Sequence, residues 1–128
     1  MAGWAGWERE LLGALGLSPT RARLDFLAAW QACEGGSARF NPLNTTQPVP
    51  GATSYNSAGV RNYPDRFAGV AALLLTLRLD YYRELRDALR AEHLDAPAIA
   101  ARSTNSIHTW GTDPTCIARR LRVRPAKR

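Results

Sequence analysis

The sequence is short of several things, and each shortage excludes a class of protein. It has 128 residues and no apolar run near the roughly 20 needed to cross a bilayer. The longest, Phe67 to Leu75 with Thr76 and Leu77 behind it, falls well short. The opening Met1-Ala-Gly-Trp-Ala-Gly-Trp-Glu-Arg lacks a basic leader and a long greasy stretch, so it predicts no secretory signal. Histidine is confined to His93 and His108, in neither an HxxxH nor an HxxEH pattern, so the chain shows no zinc-hydrolase ligand set. There is no glycine-rich nucleotide loop, zinc finger or RNA-type aromatic motif. No metal and no cofactor is expected. Only two cysteines are present, Cys33 and Cys116, too distant for a local redox or metal pair. They read either as two small buried hydrophobes or as a long-range disulfide, which would need an oxidising compartment.

What is present suits one small folded domain. Hydrophobic residues make up 45% and charged residues 22%, enough for a core and against wholesale disorder. The net charge of +6 is not spread evenly. Residues 114–128 carry Arg119, Arg120, Arg122, Arg124, Lys127 and Arg128 with no acid, while the 11 other basic residues balance 11 acids. The body is neutral and the tail basic; the tail reads either as a solvated end with no specific role or as a general attraction for an anionic polymer such as a cell wall, with no dedicated nucleic-acid partner. The expected organisation is a domain over 1–121 and a basic tail over 122–128.

The apolar spacing predicts a mostly α protein. Trp4, Trp7, Leu11, Leu12 and Leu15 suggest a short helix over 3–12, ending near Gly13 or Gly16. Ser18 and Pro19 read as the cap and first turn of a second helix, through Leu24, Leu27 and Trp30 to Glu34, with Gly35-Gly36 as its exit. The stretch 37–63 is rich in Asn, Pro, Gly, Ser and Thr and is long for a plain connector. Its aromatics favour an ordered surface, with a small hairpin around Tyr55 to Tyr63. Pro64 opens a helix apolar on nearly all sides, expected at the centre of the core. Asp80 either caps a further helix or lies within one long one, and a short helix is expected over 97–102. Asn105 to Thr112 reads as polar and turn-like, and Asp113-Pro114 starts the last helix. Trp4, Trp7 and Trp30 are expected in the core.

Glu34 is the leading candidate for chemistry. Its period aligns it with the apolar stripe of its helix, at the helix C-terminus, where desolvation and the helix dipole both disfavour the charged form. Such an acid suits proton donation to a leaving oxygen; an ordinary last-turn glutamate is the plain alternative.

The pieces Glu34-Gly35-Gly36, Phe40-Asn41-Pro42-Leu43-Asn44-Thr45-Thr46 and Tyr55-Asn56-Ser57-Ala58-Gly59-Val60-Arg61-Asn62-Tyr63 resemble the lysozyme-like domains of actinobacterial phage lysins and tail-associated peptidoglycan hydrolases, related to goose-type lysozymes and lytic transglycosylases. The Pro64 to Leu77 helix and Trp110-Gly111-Thr112 extend the likeness over most of 18–121. The resemblance implies a single lysozyme-like domain, mostly α, with a polar loop or small β-hairpin between core helices. It implies a monomeric glycosidase that cleaves the N-acetylmuramic acid to N-acetylglucosamine linkage of peptidoglycan, with Glu34 as general acid. It also implies a bacteriophage endolysin, or part of a virion or larger lysin, made in the host cytoplasm and reaching the wall through a holin-made pore or on a particle. Tyr63, Asn56, Tyr55, Thr45, Asn44 and Trp110 are the candidate substrate contacts, since rings pack on sugar faces and amides bond acetamido groups. Gly35 stands where the usual transglycosylase has Ser, and Arg61-Asn62 where a Gly-hydrophobic-Gln segment has Gln. Hydrolysis and transglycosylation both stay open. Asp65 and Asp113 are the candidates for a second acid, although each adjoins a proline-marked helix start. A noncatalytic wall-binding or virion protein on the same fold is the alternative.

Overall fold

The structure, a computed structural model, describes residues 3–123. Residues 124–128, which include Arg124, Lys127 and Arg128 of the expected tail, lie outside the described residues. The fold is mostly helical: α1 Trp7–Ala14, α2 Arg21–Glu34, α3 Arg66–Leu77, α4 Arg83–Arg90, α5 Ala96–Arg102, α6 Thr104–Trp110 and α7 Pro114–Val123. A two-stranded hairpin, β1 Thr53–Ser54 and β2 Arg61–Asn62, interrupts them between α2 and α3. The strands are antiparallel, with Thr53 opposite Asn62 and Ser54 opposite Arg61. Among the described residues no helix is long and apolar enough to cross a membrane.

Helix α2 takes the centre, packing on α1, α5 and α7. Phe26, Leu27 and Trp30 are fully buried on it, joined by Leu11 and Leu12 of α1, Ile99 of α5 and Ile117 of α7. Trp7 is buried as expected, whereas Trp4 is half-buried ahead of α1 with its ring edge-on to Phe40. The cap of α2 is Thr20, whose side chain accepts from Arg23 N; it is not Ser18. Ser18 is taken by another partner: the buried Arg23 guanidinium donates to its carbonyl and hydroxyl oxygens and to the Leu89 and Arg90 carbonyls. Those carbonyls end α4, so Arg23 satisfies a helix C-terminus that would otherwise be left unpaired.

Two other expectations are corrected. α3 is not central: Gly69, Ala72, Leu73, Thr76 and Leu77 face inward, while Phe67, Ala71 and Leu75 are exposed. It lies against α1 at the edge of the bundle, so only one of its apolar faces is covered. Residues 104–110 form α6 rather than a turn. The polar side chains there find partners that leave the helix intact: Ser106 donates to the Tyr81 carbonyl, and Ser103, at the junction with α5, donates to the Ile99 carbonyl. A 3-10 turn at Asp80–Tyr82 precedes α4, and Asp65 and Asp95 cap α3 and α5. The cysteines form a disulfide, Cys33–Cys116, tying the end of α2 to α7.

Candidate functional site

Glu34 is the last residue of α2. Gly35 follows at φ 60°, a left-handed conformation that turns the chain off the helix axis at little cost for glycine. Gly36 then allows a close approach: a Cβ there would clash with the Asn44 side-chain amide. Asn44 itself has φ 59°, which asparagine tolerates better than most residues, and Phe40 has φ 51°, an uncommon conformation for a bulky side chain. These turns bring Asn44 back over the helix end, where Nδ2 donates to Glu34 Oε1 at 2.8 Å.

The second carboxylate oxygen is met from the other side. Thr112, just beyond α6, donates its hydroxyl to Glu34 Oε2, and Trp30 Nε1 donates to the same hydroxyl oxygen at 2.9 Å. Glu34 is therefore half-buried and held by two donors, one from the loop and one from the helical side. Each carboxylate oxygen keeps a further lone pair, so an acid proton still has a place to sit.

The remaining candidates divide into supports and exposed groups. Tyr63 is 1% exposed, and its hydroxyl donates to the Gln47 carbonyl at 2.6 Å. Its ring is packed inside the loop, and burial pushes its phenol up to about 12, against a smaller lowering by nearby Arg61. Thr45 is also buried; its hydroxyl accepts from Gln47 N and bonds Thr76, whose own hydrogen goes to the Ala72 carbonyl. Neither Tyr63 nor Thr45 offers a free face to a sugar, because the loop needs both to pair its backbone. Trp110 is half-buried; Nε1 donates to the Leu43 carbonyl at 2.7 Å, and its ring meets Trp30 and Tyr82 edge-on. It braces the loop against the helices.

Tyr55 and Asn56 are exposed at the hairpin tip. Asn56 Oδ1 accepts from the Ala58 and Val60 amides, which shapes the turn. The tip joins the Glu34 neighbourhood through Asn41, whose side chain donates to the Thr45 and Arg61 carbonyls and accepts from Thr45 N. Asn41 and Leu43 are fully buried. Asp65 accepts from Ala68 N and Asp113 from Thr115 N, so both candidate second acids spend an oxygen on a helix start.

Thr112 is the site residue that the sequence did not single out. Its only signal is its place directly after Trp110-Gly111, and its two partners are far away along the chain. Cavities of about 670, 560, 420 and 370 Å³ lie over α4–α6, between α2 and α7, beside α3, and near the start of α5; Glu34 lines none of these four. Glu34 is half-buried, with the exposed Gly35 and Ser37 following it in the chain and Asn44 bonded to its carboxylate. Among the described residues no three His, Cys, Asp or Glu side chains gather as a metal site. No protein-family model, curated protein or solved structure matches the chain.

Proposed function

We propose that the protein is a peptidoglycan glycosidase in which Glu34 is the general acid. The observation that supports this reading is the seat of Glu34: the end of a buried helix, both oxygens oriented by donors, beside an ordered polar loop and hairpin. A catalytic acid must be held still while a proton moves, and such a seat does that. Tyr55 and Asn56 at the hairpin tip are the exposed groups that would meet sugar rings and acetamides.

In the proposed reaction Glu34 gives its proton to the glycosidic oxygen as the bond from muramic acid C1 breaks. The engagement of Asp65 and Asp113 at helix starts favours attack by the muramic acid 6-hydroxyl over attack by an activated water. The C1–O6 bond then forms, the hydroxyl proton returns to Glu34, and the product carries a 1,6-anhydro end. The disulfide beside the acid fits work in an oxidising compartment such as the space outside the cell membrane. A phage lysin or a virion-borne enzyme would work there.

A second reading has a specific observation behind it. Both Glu34 oxygens are occupied within the protein, as they would be if the carboxylate only tied the loop to the helices of a noncatalytic wall-binding protein. Digestion of purified peptidoglycan followed by mass spectrometry separates the two. Anhydro-muramic ends support transglycosylation and reducing muramic ends support hydrolysis. Binding without new ends would defeat the glycosidase reading, as would cleavage confined to peptide or amide bonds.

A further inference from the structure

We infer that Thr112 is a positioning residue that fixes the orientation of the Glu34 carboxyl through a one-way hydrogen-bond chain from Trp30. The inference rests on the glycosidase reading only for its consequence in catalysis. Indole Nε1–H is a donor with no lone pair to offer, so toward Trp30 the Thr112 oxygen can only accept. The hydroxyl then has a single hydrogen to give, and Glu34 Oε2 lies in its path. With its hydrogen turned toward Trp30, the hydroxyl would leave two donors facing each other, whereas toward Oε2 it meets an acceptor. Trp30 is fully buried and Thr112 is 5% exposed, which shields the indole–hydroxyl bond from water.

The placement of Thr112 is over-determined. Trp30 and Glu34 are one helical turn apart on α2, and the threonine bridges them from outside the helix. Its own amide donates to the Ile107 carbonyl, closing the left-handed turn at Gly111. Further along, Cys116 is bonded to Cys33, the neighbour of Glu34. The backbone bond at Ile107 and the disulfide thus clamp the threonine against α2. With Asn44 fixing Oε1, the carboxyl plane is set by two donors from opposite sides.

The test is the Trp30 indole resonance in a proton–nitrogen correlation spectrum, compared between the wild type and Glu34→Gln, which puts an amide where the carboxylate accepts from Thr112. With Thr112 in place the Glu34→Gln substitution moves the resonance. Thr112→Val keeps the shape but breaks the chain, and in that background the movement is lost. Thr112→Ser restores it. With glycan substrate, Thr112→Val lowers kcat by about 10- to 100-fold, as loss of a hydrogen bond to a charged group does, with KM little changed. Thr112→Ser keeps most of the wild-type kcat. An indole resonance that moves just as far on Glu34→Gln in the Thr112→Val background would overturn the inference, as would a Thr112→Ser that behaves like the valine variant. Full kcat in a folded Thr112→Val would overturn it too. Should the valine variant not fold, identical indole behaviour in the wild type and Glu34→Gln would overturn it by itself. A wild type that cuts no glycan would defeat the glycosidase reading, while the indole signal would still decide the role of Thr112.

Discussion

On one side of Glu34 the chain is held by apolar burial. Phe26, Leu27 and Trp30 of α2 lock into Ile99 and Ile117, and the Cys33–Cys116 bridge closes the end. On the other side, residues 36–63 bury few large apolar groups, chiefly Leu43 and Tyr63, and depend on side chains that bond backbone: Asn41, Thr45, Asn56 and Tyr63. Non-directional packing tolerates small shifts, whereas a network of amide bonds fixes positions and fails sharply when one member is removed. The acid is placed where the two modes meet, with Thr112 on one oxygen and Asn44 on the other.

The contrast can be broken from either side. Trp30→Ala removes the largest buried ring of α2, and it is expected to cost about 3–5 kcal/mol in a denaturant titration. Replacing both cysteines by serine releases a constraint between residues 83 positions apart and is expected to cost about 2–4 kcal/mol. In a thermal melt the wild type with reductant should then match the double variant without it. In the loop, Asn41→Ala strands the Thr45 amide and takes a donor from the Arg61 carbonyl and from the Thr45 carbonyl, which keeps only the Arg61 amide. A loss of about 1–3 kcal/mol is expected, with faster hydrogen exchange confined to 38–63 and the helical side unchanged. Uniform loss of protection over both regions would show that they do not behave separately.

The smallest effect sharpens the comparison through pH. Tyr63 ionises at about 12 in the folded protein and at 10.0 when unperturbed, so the unfolded chain loses that proton first. Its contribution is full below pH 10.0 and declines as the pH rises toward 12. The Tyr63 phenolate should appear only as the pH approaches about 12 in an absorbance titration, together with loosening of the loop. Its early appearance without structural change would show an open ring.

Much of this was legible in the sequence because it rests on local signals. Helical periodicity and start signals located α1, α2, α3, α5 and α7 to within a few residues while leaving open whether α4 stood apart from α3, and the Asn-, Pro- and Gly-rich stretch after Glu34 marked the loop and hairpin. The errors came from side-chain partners that periodicity does not show. Ser18 gives its oxygens to Arg23, leaving the cap of α2 to Thr20, and the polar Ser106 of 104–110 sits in a helix because its hydroxyl finds the distant Tyr81 carbonyl. The α3 pattern told how apolar that helix is but not which face is covered. Tyr63 and Thr45 were read as sugar contacts from their chemistry, yet the same polar atoms are consumed by the loop. Thr112 was invisible for the converse reason: its role depends on Trp30 and Glu34 meeting it in space.

The most direct measurement compares the initial rates at which wild type and Glu34→Gln release glycan fragments from purified peptidoglycan, with folding of both checked by their spectra. The account expects cleavage by the wild type and a loss of about 10²–10⁴-fold in a variant that keeps the shape of the side chain but not its proton. Equal rates for the two folded proteins would contradict it.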